Sequence, residues 1–322
     1  MGISGTKKAQ PWSEAPFTLT IPQPFDFALT VRKPAGWDWG APGEVWSHDT
    51  LYSTLNLSED RVVGLSLSAD GDKVTVKTSG NGPVMSEGER AVLVERVKAG
   101  LGADDDLRSF YSLAGSDKLV RQLRKDLYGL RVGFLNGVFE RCLLAITLQM
   151  APLKRSLQMR DCLIDGYGTL VNVDGQKVRS WPTPAVIASA DPNQLKQDCK
   201  LGYRAKAVHR MAEQILGGFP DILELAAMPE ADAFKSLRTL YGVGEYSAQI
   251  VSPHRGFPLD VWSSRVFHEI LFGTTPADSR GAISKVTDEA KRRWGAHAGH
   301  VFVYTLNDLP NLARNYPITR LS

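Results

Sequence analysis

Two regimes of hydrophobic spacing divide the chain. From Phe17, apolar and polar residues alternate over short runs, FTLTI (17–21), FDFALTVR (25–32), VVGLSLSA (62–69) and KVTVKT (73–78). A period of two, rich in Val, Thr and Phe and broken by turns such as Asp70-Gly71-Asp72, predicts the strands of an antiparallel sheet. Trp37, Trp39 and Trp46 lie around its long connecting loop and read as packing residues. Residues 1–16 lack the alternation and read as a flexible leader.

From residue 86 the spacing becomes helical. Asp104-Asp105-Asp106 interrupts it and reads as a solvated cap at a helix start. From Ser109 onward the chain reads as essentially all helical. LVRQLRKDLYGL (119–130) leads into GFLNGVFERCLLAITLQM (133–150), apolar enough to be the central buried helix. WPTP (181–184) marks a loop and a helix start, with proline at the first helical positions. LGYRAKAV (201–208) is a tight turn opening an amphipathic helix, and KRRWGAHAGHVFVYTLNDL (291–309) supplies one more buried helix. The class is therefore α+β: a β-rich domain over residues 1–112 and a mainly helical body over residues 113–322.

Within that body, LYGVGEYSAQIVSPHRGFPLD (240–260) stands out. Phe234 and Leu237 share one helical face before Gly242-Val243-Gly244, and Ala248 and Val251 share one after it. Glycine at both ends of the turn tolerates positive φ and close backbone approach. The following helix would aim unpaired N–H groups outward, a site for a phosphate. Asp260 then precedes the next helical pattern, VWSSRVFHEILF. Asp is also among the best N-caps, and capping is compatible with a chemical role.

LYGVGEYSA (240–248), followed by GFPLD (256–260), resembles the helix-hairpin-helix DNA glycosylases, a superfamily named for that hairpin and a Gly/Pro-rich segment ending in Asp. LYGLR (127–131), FERCLLAITLQM (139–150), WPTP and LGYRAKAV look like further landmarks of that superfamily, over roughly residues 113–310. The β-rich part resembles, more weakly, the sheet domain of its alkylpurine and oxoguanine branches. The resemblance implies two helical lobes with DNA bound in the cleft between them.

Under that resemblance Asp260 is the catalytic residue. Cleavage of an N-glycosidic bond builds positive charge on the sugar, and an anion beside C1′ stabilises that state and can orient or deprotonate the attacking water. Strand-cutting members carry a lysine where this chain has Tyr246, so a Schiff base there is excluded and water is the nucleophile. Tyr246 and Trp262, with Phe134 as a further candidate, would wall the base pocket; aromatic faces attract a cationic alkylated purine. Backbone groups of Gly242, Val243, Gly244 and Tyr246 and hydroxyls of Ser263 and Ser264 would hold phosphates, with Arg265 and Lys206 adding charge. Gln149 and Met150 fall where the resemblance places the loop that fills the gap left by a flipped base.

Composition narrows this reading only at the margins. The chain has 322 residues, 43% hydrophobic and 23% charged, with a net charge of +3 that permits nucleic-acid binding without demanding it. No run approaches the ~18–20 apolar residues of a membrane helix, and the N-terminus lacks the apolar segment of a signal peptide. Cys142, Cys162 and Cys199, odd in number and widely spaced, argue against a disulfide framework and a four-cysteine iron–sulfur cluster, and for a reducing compartment. His209 is isolated, and His297 and His300 have no nearby carboxylate or cysteine, so no metal site is expected beyond a cation at the hairpin. The expectation is a monomeric, monofunctional DNA glycosylase acting on damaged double-stranded DNA, cytoplasmic at the nucleoid in a prokaryote or nuclear in a eukaryote. Its preferred substrate is an alkylated purine such as 3-methyladenine or 7-methylguanine. The alternatives are an enzyme for 8-oxoguanine, hypoxanthine or uracil, and a non-catalytic hairpin module that only binds DNA.

Overall fold

The structure, a computed structural model, describes residues 11–318; the first ten residues of the expected leader lie outside them. The rest of that leader is not featureless, because β1 (Pro11–Ser13) pairs with the last strand of the sheet. β2 (Phe17–Thr20), α1 (Phe27–Val31), β3 (Val45–Ser47), β4 (Thr50–Asn56), β5 (Val62–Asp70) and β6 (Lys73–Asn81) complete the N-terminal part. The sheet is antiparallel, ordered β1-β6-β5-β4-β3, with β2 also on β6. Its inward residues Leu65, Leu67, Val74 and Val76 are fully buried with Leu93 and Val97 of α2 (Glu87–Gly100).

FDFALTVR is a helix where alternation predicts a strand. Asp26 accepts a hydrogen bond from Leu29 N at 2.8 Å, and Phe27 and Val31, four apart, bury one helical face. A cap and an i,i+4 apolar pair outweigh a weak β pattern in so short a run.

Helices α3 (Leu107–Ser112) and α4 (Lys118–Asp126) come next, then α5 (Val138–Leu148) and α6 (Leu153–Tyr167). β7 (Leu170–Val173) and β8 (Gln176–Arg179) then interrupt what the spacing reads as all helix. Their signal was present: alternating LVNV and QKVR around Asp174-Gly175, both with positive φ. Val171, Val173 and Val178 pack on Val45, Tyr52 and Val62 of the main sheet, joining it to the helical body. α7 (Pro184–Ser189), α8 (Pro192–Asp198), α9 (Arg204–Leu216), α10 (Ile222–Ala227), α11 (Glu230–Leu237) and α12 (Glu245–Val251) follow, then α13 (Val261–Phe272), α14 (Ser279–Trp294), α15 (Ala298–Asn307) and α16 (Leu309–Leu312).

The helices build two cores. One, around α5, takes apolar residues of α6–α12; the other takes α3, α4 and α13–α16. The chain thus crosses between lobes twice, at residues 131–137 and 252–260. Cys162 on α6 and Cys199 at the end of α8 are joined by a disulfide, Cα atoms 5.3 Å apart, while Cys142 is free and buried. This overturns the expectation drawn from cysteine spacing; packing closes a separation of 37 residues that no local pattern reveals. No described helix is long and apolar enough to cross a membrane.

Candidate active site

The hairpin sits between α11 and α12. Gly242 adopts φ +86°, and a Cβ there would lie 2.8 Å from the Ala207 side chain, so only glycine lets this turn pack on α9. Gly244 needs no such freedom: it is the extended N-cap of α12 and brings no side-chain cap to the first-turn N–H groups. Val243, Ala248, Val251 and Leu237 are buried, which anchors the hairpin from both sides.

Asp260 is the N-cap of α13. Ser263 N donates to Asp260 Oδ1 at 2.6 Å and Ser263 Oγ to the same atom at 2.7 Å, while Asp260 N donates back to Ser263 Oγ at 2.9 Å. Both side-chain bonds fall on Oδ1, and Oδ2 has no hydrogen-bond partner among the described residues. Tyr246 feels the charge of this acid: burial first, then the negative charge of Asp260, pushes its hydroxyl up to about 12, so it stays a neutral phenol.

The other expected pocket walls, Trp262 and Phe134, have surroundings of their own. Trp262 packs against the second helical core, and no ring contact joins it to Tyr246 among the described residues. Phe134 covers the guanidinium of Arg141 at 5.9 Å and lines a cavity of about 570 Å³ with Phe257, Arg255 and Glu230, which neither Asp260 nor Tyr246 enters. Ser264 is fully buried with its hydroxyl on Val261 O, and the Ser263 hydroxyl is taken by Asp260. Neither hydroxyl is free for phosphate. Arg265 lies 3.9 Å from Glu269, and Lys206 is exposed on α9.

At the far end of α5 the chain turns outward. Gln149 does not face solvent freely: its Nε2 donates to Gly242 O at 2.8 Å and Ser247 Oγ at 3.1 Å, and its carbonyl accepts from Arg204 Nη2. Met150, next to this anchored residue, takes φ +47° and is 95% exposed. Leu153 and Tyr203, 65% and 62% exposed, are large apolar surfaces on the segments flanking these contacts. Local spacing gave no sign of either, nor of Arg204; an exposed apolar side chain is recognised only once the fold is known.

The acidic run also departs from expectation. Asp106 caps α3, accepting from Arg108 N and Ser109 N, but Asp105 is buried. It meets His300 Nε2 at 2.9 Å and Arg255 Nη1 at 3.0 Å. The carboxylate that sequence proximity denied to His300 comes from 195 positions away. His209 pairs with Glu213 at 3.7 Å. No group of three or more metal-binding side chains occurs among the described residues.

A sheet domain, two helical lobes, a hairpin and an acid capping the next helix make up a fold that the chain shares with solved DNA glycosylases. No family model matches the chain. In sequence it is similar to the DNA-3-methyladenine glycosylase of Bacillus subtilis (strain 168), 24% identical over 163 residues, 51% of this chain. The chain spans about half, 54%, of that relative's length. In structure it is similar to a 3-methyladenine DNA-glycosylase from Archaeoglobus fulgidus, with TM-score 0.72, 19% identity and coverage of 91% of this chain and 98% of that one. It is also similar to MBOgg1 in complex with a low-affinity DNA ligand, with TM-score 0.68, 16% identity and coverage of 94% and 99%. An 8-oxoguanine glycosylase/lyase of Clostridium acetobutylicum gives TM-score 0.66 at 14% identity, over 94% of this chain and 99% of that one.

Proposed function

We propose that this protein is a monofunctional DNA glycosylase that acts as a monomer on damaged duplex DNA and releases alkylated purines. The observation that carries the reading is Asp260: Oδ1 holds α13, and Oδ2 has no hydrogen-bond partner among the described residues. A carboxylate fixed by its own helix cap is pre-organised, so its charge meets the developing oxocarbenium ion without reorganisation. The same oxygen can hold the attacking water. First-turn N–H groups of α12 would bind phosphate, and Met150 would enter the stack where the base has left. A cation at the hairpin would need backbone carbonyls, since Glu245 is the sole carboxylate in residues 240–248; no step of base release runs through it.

Hydrolysis without strand cleavage follows from Tyr246, which cannot form a Schiff base, and from the absence of any lysine between Lys235 and Lys285. A cationic purine suits this site because its charge makes it a good leaving group and the Tyr246 face attracts it; no proton donor to a neutral base is required. Removal of an oxidised base is the second reading, favoured by the fold shared with the 8-oxoguanine glycosylase/lyase.

The test is base release from duplexes carrying single 3-methyladenine, 7-methylguanine, hypoxanthine, uracil or 8-oxoguanine lesions, by wild type and Asp260→Asn, scored with and without alkali. Alkali-dependent release of the cationic purines, lost in the variant, is the expected result. Release of 8-oxoguanine alone would transfer the substrate to the second reading. Strand cutting without alkali would disprove the hydrolytic assignment, and no release from any lesion would leave a hairpin module that only binds DNA.

A further inference from the structure

Two sets of contacts to the spacer between α12 and Asp260 have no part in the chemistry above. At its start, Arg141 on α5 donates through Nε to Val251 O at 2.7 Å, and through Nη2 to Ile250 O at 2.7 Å and Ser252 O at 2.9 Å. These carbonyls end α12, where no intrahelical donor remains for them. Burial pushes the guanidinium down to about 10, so it still carries its charge at neutral pH, under the face of Phe134. Three residues further on, Arg255 donates through Nε and Nη2 to Val132 O at 3.2 and 2.9 Å. Its Nη1 lies 3.0 Å from Asp105, which His300 also holds. Val132 belongs to the other crossing between the lobes, so Arg255 ties the two crossings together. Gly299 of α15 allows the approach: a Cβ there would lie 2.5 Å from Arg255 O.

We infer that Arg141 and Arg255 are positioning residues: Arg141 fixes where the chain leaves the hairpin helix, and Arg255 fixes its path into the lobe that carries Asp260. The inference rests on the glycosylase reading of Asp260. The hairpin itself is held separately, by Gly242 against Ala207 and by Gln149 on Gly242 O and Ser247. Loss of either arginine should therefore move the acid relative to the hairpin while leaving the phosphate-binding turn in place. A displacement of about 1 Å in such a site costs up to ~10²-fold in rate.

The experiment compares wild type with Arg141→Met, Arg141→Lys and Arg255→Met. It reads single-turnover base release, affinity for an abasic duplex, and amide hydrogen exchange over residues 240–247 and 252–263. Both methionine variants are expected to lower the release rate by about 10- to 100-fold with affinity within about twofold of wild type. Exchange should quicken in 252–263 but not in 240–247. Lysine, a point charge that cannot span three carbonyls, should restore the rate only in part. Unchanged rates and exchange would overturn the inference. So would a parallel fall in rate and affinity with faster exchange in both segments, the signature of general loosening. If wild type itself releases no base, the glycosylase reading fails, and exchange alone still decides whether the arginines fix the spacer.

Discussion

Replacing Asp260 by asparagine and by alanine separates the two uses of one side chain. Asparagine caps a helix about as well as aspartate, so Asp260→Asn should change stability by less than about 0.5 kcal/mol, whereas Asp260→Ala should cost about 1 kcal/mol. Both should lower base release by on the order of 10²- to 10³-fold, because both remove the charge. Thermal unfolding alongside single-turnover kinetics checks both. Two other carboxyls bear on stability rather than chemistry. Glu44, desolvated although it accepts from Trp39 N, Gly40 N and Ser53 Oγ, is raised to about 7, and Asp308, desolvated beside Asp126, is likewise raised to about 7. A raised folded pKa means that the folded state binds more protons than the unfolded chain, so each group's contribution falls as pH rises from about 4 to about 7. Glu44→Gln and Asp308→Asn should each flatten that part of the stability–pH curve in denaturant titrations; an unchanged slope would refute the assignment.

Among the elements, the hairpin was readable because its determinants are local: two glycines, flanking apolar faces and the residue that begins the next helix. The short helix Phe27–Val31 was not, since a run of eight residues fits either period until its cap and buried face are seen. The hairpin of β7 and β8 was legible in its Asp-Gly turn yet masked by the helices around it. The disulfide between α6 and the end of α8 lies just before the turn that carries Tyr203 and Arg204. Closing a loop of about 37 residues should stabilise the fold by roughly 3–4 kcal/mol in the chain-entropy model. Cys162→Ser should lower stability by that order. Thiol titration of the denatured wild-type protein should find one reactive cysteine before reduction and three after.

At the scale of the whole molecule, the chain leaves the second lobe to build the first and returns to it, so the hairpin and the acid stand on different cores. Asp105 is where these paths meet, joining the connector before α3, the spacer through Arg255 and α15 through His300. Its charge partners hold its carboxyl below the usual range against the opposing cost of burial. Asp105→Ala would leave the buried His300 Nε2 without its partner and take from Arg255 the carboxylate at its Nη1, and should cost about 3 kcal/mol. Chemical denaturation measures this; a loss under about 1 kcal/mol would show the network to be dispensable.

The sequence by itself determined the order of hairpin, spacer and acid, the tyrosine in place of a lysine, and the alternation that makes a sheet followed by helices. All of these are set by residues within a few positions of one another, through caps, turns and periodicity. Only the tertiary structure decided that Ser264 is buried and that Phe134 lines a cavity which neither Asp260 nor Tyr246 enters. It alone showed that Met150 projects into solvent, that Cys162 finds Cys199, and that Asp105 finds His300. Those pairings join residues from tens to nearly two hundred positions apart, and what brings them together is the burial of two separate apolar cores, which leaves no trace in local spacing.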